Sequence, residues 1–207
     1  MAKGRPREFD IDEALDKAID LFWRQGYEGT SLADLVAAMG ITKPSLYAAF
    51  GNKEELFRKA VDRYSEQRLA LVDAIFDDPS SRRAIERFLM LFTGAEQPEG
   101  APCGCLMVQG ALVCSPEGGA VKQDLLSRRM SNLQWLCDRL EGWKADGDLP
   151  PDTDTQSLGR FVATVANGLT VQSTSGAKPE QLKIVVQQFM QSWPGRQEAA
   201  GAKVKAA

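Results

Sequence analysis

Apolar residues recur along most of the 207-residue chain at three- and four-residue spacing, and no convincing alternating strand interrupts them. The pattern predicts an all-α protein. Ile11, Leu15, Ala18, Ile19 and Phe22 make the first stripe. Asp10 opens it, with Glu13 at capping-box spacing, and Gly26 suits the left-handed position that ends a helix. A second helix is expected from Ser31, with Asp34 three residues on and Leu32, Leu35 and Val36 facing inward, as far as Met39 and Gly40. Thr42 is a good cap for a third. Lys43 and Pro44 fill its first turn, where a missing amide hydrogen does no harm. Leu46 and Phe50 supply its buried face, and Gly51 stops it. Asn52, paired with Glu55, caps a fourth helix running from about Lys53 into the seventies.

Beyond residue 80 the helices lengthen and the joints are polar. Helices are expected at 81–93, 104–115, 118–146, 153–175 and 179–193. Loops rich in Gly, Pro and acids lie at 93–102 and 146–154. The chain divides into an N-terminal three-helix unit (1–57), a second helical unit (58–195) and a tail (196–207) with too little apolar surface to fold.

Three short helices and a longer one, with glycine in the turn between the second and third, describe a helix-turn-helix followed by a C-terminal helical domain. In that unit the second helix of the pair enters the major groove by its N-terminal residues. Thr42, Lys43 and Ser45 can reach phosphates or base edges there, and Tyr47 offers a hydroxyl on a rigid ring. Lys53 adds charge at the next helix start, where free amide groups suit a phosphate. Arg5 and Arg7 belong to a basic arm that can follow the backbone or enter a minor groove.

Bulk charge says little. The formal net charge is -3, and residues 1–63 carry ten Lys/Arg against eleven Asp/Glu, so DNA affinity must come from where charge sits. There is no histidine. That removes His-based catalysis and the commonest zinc or copper ligand, and no catalytic constellation takes its place. No cofactor is expected. No apolar run approaches the roughly 20 residues that cross a membrane, and the charged N-terminus lacks a signal-peptide core, so a cytoplasmic location is expected.

The run GYEGTSLADLVAAMGITKPSLYAAFGNKEELFRKAV (26–61), preceded by GRPREFD, resembles the DNA-binding signature of the TetR/AcrR family of transcriptional regulators. The resemblance rests on Gly26-Tyr27, Thr30-Ser31, Ala38-Met39-Gly40, Lys43, Leu46-Tyr47, Phe50 and Asn52 to Leu56. It implies an all-helical homodimeric repressor with a divergent ligand-binding domain. It also implies phosphate contacts from Thr30, Tyr47 and Lys53, and base or phosphate contacts from Thr42, Lys43 and Ser45. Ala48 and Ala49 depart from the pattern: family members often carry aromatic residues, His or Asn just before the Phe50 position. A methyl can touch thymine but donates no hydrogen bond.

Further along, residues 157–173 hold Gly159, Ala163, Ala166 and Gly168 at spacings that let helices approach closely. With 180–193 they can pair with a second copy, or pack within one subunit. The family resemblance favours the dimer, and a two-fold protein implies a palindromic operator. A small-molecule pocket would draw its wall from Phe88, Phe92, Leu106, Met107, Met130, Leu133, Trp135 and Phe161. Cys103, Cys105 and Cys114 admit three readings: inert thiols, a redox or electrophile sensor at Cys103 or Cys105, or a soft-metal site, which the missing histidine disfavours. Gly-Cys-Leu at 104–106 resembles a subset of the family, some of whose members sense reactive species through such a cysteine. One alternative from another class stays open: a small-molecule carrier or enzyme whose N-terminal helices are only structural.

Overall fold

A computed structural model describes residues 9–95, 97–98 and 100–195. The described residues form nine helices and no strand: α1 (Ile11–Gly29), α2 (Leu32–Met39), α3 (Lys43–Phe50), α4 (Lys53–Phe76), α5 (Ser81–Met90), α6 (Leu106–Gln109), α7 (Gly119–Ala145), α8 (Thr155–Thr174) and α9 (Pro179–Gln191). A single 3-10 turn, Pro116–Gly118, leads into α7. The expected arm with Arg5 and Arg7, and the tail from 196, lie outside the described residues.

Local chemistry starts the helices where the sequence indicated. The Asp10 carboxylate accepts from the amides of Asp12 and Glu13 at 2.8 and 3.1 Å. Glu13 does not complete a capping box; it takes Lys17 at 2.8 Å instead. Ser31–Asp34 and Asn52–Glu55 are full capping boxes. Gly26 does break α1, with φ 71° and ψ 174°, but the chain makes one further turn to Gly29.

Two hydrophobic clusters hold the fold. The first joins α1, α2, α3 and the first half of α4, and it also takes in Leu106, Met107 and Ala111 around α6 and Val121 and Leu125 of α7. The second joins the end of α4 to α5, α7, α8 and α9. Helix α4 therefore threads both. Arg63 on α4 clamps α1 from outside, donating to both carboxylate oxygens of Asp16 at 2.6 and 2.8 Å and to Asp12 at 3.0 Å.

Two sequence expectations change. The helix expected at 104–115 is a single turn. Gly104 has φ +81°, and the Gly110 carbonyl turns out to accept from the Tyr27 amide at 2.7 Å, so contacts to α1 take over from helical hydrogen bonds. The small residues of α8 also divide. Gly159 and Ala166 are buried: a Cβ at Gly159 would sit 2.6 Å from Cys137 Sγ on α7. Gly168 faces outward, as do Phe161 and Val171 on α8 and Ile184 and Val185 on α9.

Candidate nucleic-acid interface

Helix α3 is anchored by two side chains, Leu46 and Phe50, sunk in the first cluster. Its other face and its N-terminal edge are left outward. Thr42 sets that edge: its Oγ1 accepts from the Ser45 amide at 3.3 Å and shares a hydrogen bond with Ser45 Oγ at 2.9 Å. Pro44 has no amide hydrogen and that of Ser45 is taken, so contacts from this end must come mainly from side chains. Thr42, Lys43 and Tyr47 are exposed, Ser45 is half-buried, and Ala48 is exposed beside Tyr47. Tyr47 keeps 44% of its surface in water, the largest apolar side chain α3 leaves there.

The turn before α3 fixes its angle to α2. Gly40 is left-handed (φ 69°, ψ 30°), and its amide donates to the Val36 and Ala37 carbonyls. At the other end Lys59 of α4 donates to the Ala49 and Phe50 carbonyls at 3.4 and 3.2 Å. A cation there meets the negative end of α3. Sequence reading missed this residue because its partner lies on another helix.

Lys53 stands at the first turn of α4 with its ammonium 4.3 Å from the centre of the Tyr27 ring. Burial pushes its pKa below the usual lysine range, and Glu28 pushes the other way. Thr30 needs correcting as a phosphate contact. Its side chain is fully buried and its hydroxyl donates to the Gly26 carbonyl at 2.7 Å, closing the broken end of α1. The helix starts at Ser31 and Asn52 are also less open than expected, because the Asp34 and Glu55 carboxylates already occupy part of each cap.

The sequence profile described as Bacterial regulatory proteins, tetR family, matches residues 14–60, which fold into most of α1, all of α2 and α3, and the start of α4. The repressor ComR of Escherichia coli (strain K12) is 36% identical over 199 residues, covering 93% of each chain. The chain belongs to the TetR family. A second relative in that organism, the repressor BdcR, is 27% identical over 180 residues and 86% of each chain. A cysteine mutant of the TetR family regulator CifR, complexed with 26-bp double-strand operator DNA, is 42% identical and superposes with a TM-score of 0.87 over 92% of this chain and all of that one. The chain is thus a TetR-type transcriptional regulator and not an enzyme.

In this TetR-family chain the reading unit is tied to the rest of the molecule by a seam of hydrogen bonds that the sequence does not announce. Besides the Tyr27–Gly110 bond, Gln109 Nε2 donates to the Trp23 and Cys103 carbonyls at 2.9 and 3.3 Å. Glu28 accepts from the amide and hydroxyl of Ser115 at 2.9 and 3.0 Å, and Arg24 donates to the Gly100 carbonyl at 2.6 Å. These α1 residues lie four to nine positions before the start of α2. The partners all lie in segment 100–115.

That segment carries three of the four cysteines. Cys103 is exposed, whereas Cys105 is buried at the start of α6, its sulfur 3.5 Å from the Tyr64 hydroxyl, which donates to it. With α6 reduced to one turn, little helix dipole is available to activate Cys105. Burial raises the Cys114 thiol, with Glu28 adding to the effect, and raises the Cys137 thiol. Among the described residues no group of three or more His, Cys, Asp or Glu is placed to hold a metal ion.

The eight residues expected to wall a pocket are divided between the two clusters and the surface. Leu106 and Met107 are buried in the first cluster. Phe88 stacks edge-on between Phe76 and Phe92, and Phe92 touches both clusters. Trp135 meets Phe76, and Phe161 meets Phe189, while keeping a large share of their surface in water; Met130 is exposed and Leu133 half-buried. Apolar side chains at helical spacing fill a core and a pocket alike, so the sequence had no means to separate them. Among the described residues no helix is long and apolar enough to cross a membrane.

Proposed function

We propose that the chain is a cytoplasmic repressor that binds a palindromic operator as a homodimer and releases it on meeting an effector. The observation that carries this reading is the outward N-terminal edge of α3, where Thr42, Lys43, Ser45 and Tyr47 stand on a helix held rigid by Leu46 and Phe50. Lys53 supports it from the next helix. The CifR relative complexed with operator DNA, and the name repressor carried by ComR and BdcR, favour the same reading. The exposed apolar residues Phe161, Val171, Ile184 and Val185 on α8 and α9 favour pairing through those helices.

In a dimer the two recognition helices must match successive major grooves roughly 34–36 Å apart. An effector that prefers a dimer with another spacing drains the DNA-bound population. It is a small molecule, or an oxidant or electrophile acting at Cys103 or Cys105. Base reading rests on Thr42, Lys43 and Ser45, with Ala48 limited to apolar contact.

A mobility-shift titration on an operator selected from random DNA tests the proposal. Lys43→Ala and Tyr47→Ala should each weaken binding by roughly tenfold, as expected for loss of one or two good contacts. Unchanged affinity in both variants would remove α3 as the reader. Mild peroxide should release the wild type and not Cys105→Ser if the thiol is the trigger. Operator affinity in wild type that survives peroxide and quinone leaves only a non-covalent effector.

A further inference from the structure

Helices α4, α5 and α9 part to leave a groove of about 410 Å³, within the range of roughly 300–1,000 Å³ typical of small-ligand sites. It is separate from the cysteine segment, and none of the eight residues read from the sequence lines it. Its floor is apolar, with Ile75 from α4, Met90 from α5 and Val186 from α9. Leu71, nearly half exposed, leaves an apolar lip in water.

The rim is charged and unevenly so. Arg87 stands on the α5 wall and Lys183 on the α9 wall, with Glu86 beside Arg87. Among the described residues neither Arg87 nor Lys183 lies within ion-pair distance of a carboxylate. Arg87 does help to lower the pKa of Asp78, but that carboxylate is already held by Arg83 at 2.7 Å. An apolar trough with two unpaired cations at its edge and a single rim acid complements a molecule with an aliphatic body and one negative end. Lys183 and Val185 lie about 160° apart around α9, whereas Ile184 lies about 60° from Gln187, so a dimer face on Ile184 and Val185 borders the groove at one edge and turns away from Lys183.

We propose that this groove binds an amphipathic carboxylate, its chain along Ile75, Met90 and Val186 and its carboxylate between Arg87 and Lys183. Occupancy bears directly on α4, which supplies Leu71 and Ile75 to the groove. The same helix carries Lys53 at its other end, about 33 Å away at 1.5 Å per residue. Filling the groove spreads α4 from α5 and α9 and turns the end that supports α3. The binding step stands by itself; the release of DNA rests on the regulator reading given above.

Calorimetric titration of the full chain with decanoate tests the first step. Wild type should bind one decanoate per chain. Arg87→Ala/Lys183→Ala should bind at least tenfold more weakly with an unchanged melting temperature, and 1-decanol should bind wild type at least tenfold more weakly than decanoate. No decanoate binding by wild type, equal binding by the double variant, or equal binding of the alcohol would each overturn the site. In mobility shifts decanoate should lower the operator affinity of wild type and leave that of the double variant unmoved. Operator binding by wild type that ignores saturating decanoate overturns the effector role. A wild type that binds decanoate but selects no operator sinks the regulator reading and leaves the groove standing.

Discussion

Thr30 and Lys43 lie thirteen positions apart and do opposite work. Thr30 is fully buried with its hydroxyl on the Gly26 carbonyl, whereas Lys43 projects from the exposed edge of α3. Thr30→Val keeps the shape and removes the donor, leaving an inward carbonyl short of a partner. It should cost about 1–2 kcal/mol in denaturant unfolding and leave the salt dependence of operator binding unchanged. Lys43→Ala should do the reverse: stability near wild type and a salt slope reduced by about one. If Thr30→Val flattens the salt slope as Lys43→Ala does, the threonine contacts phosphate after all. The sequence marks both residues as polar beside a helix start. Only the fold, by turning one side chain in and the other out, separates them.

The starts of the first four helices were the most legible feature, because N-caps are local. Asp10, Ser31, Thr42 and Asn52 each accept the amide bonds their side chains suit. The segment 104–115 was not legible, since its hydrogen bonds go to α1 across more than eighty residues. The pairing of α7 with α8 is likewise invisible in sequence but testable. Gly159 faces Cys137 with no room for a methyl, so Gly159→Ala should destabilise by about 1–3 kcal/mol. In a Cys137→Ala background the sulfur is gone, and the same change should become neutral or stabilising, because alanine outranks glycine in a helix by about 1 kcal/mol. Additive effects of the two substitutions would refute the contact.

For the whole molecule, two connections matter: one between copies and one within the chain. Ile184 and Val185 leave an apolar stripe on α9. Ile184→Asp/Val185→Asp should shift sedimentation from dimer to monomer and cut operator affinity at least a hundredfold, because two half-sites are no longer bound together. A monomeric wild type would contradict this. Within the chain, Arg63 holds the Asp16 carboxyl below its ordinary range by hydrogen bonding. A carboxyl depressed in the folded state stabilises above its unfolded value, about 3.9, and that contribution is lost as pH falls through its folded value. The melting-temperature gap between wild type and Asp16→Asn should therefore be full at pH 6 and shrink progressively as the pH falls below about 4. A gap that persists in stronger acid would mean that the clamp acts through packing and not charge.

The break at Gly26 frees the Tyr27 amide from its helix and gives it to the Gly110 carbonyl. Both ends of that bond are main chain, so a replacement at Tyr27 other than proline leaves its donor in place. Alanine scanning of the non-glycine positions will pass over this main-chain bond between the two halves of the protein. Sequence drift can rework the cysteines and the effector site while this tie persists. Its exposure to mutation is concentrated at two glycines: at Gly26 any side chain must adopt φ near +71° with its Cβ 3.4 Å from the Gly110 oxygen, and at Gly110 a Cβ would sit 2.6 Å from the Leu106 carbonyl oxygen. The joint tolerates most single substitutions and is vulnerable at those two glycines.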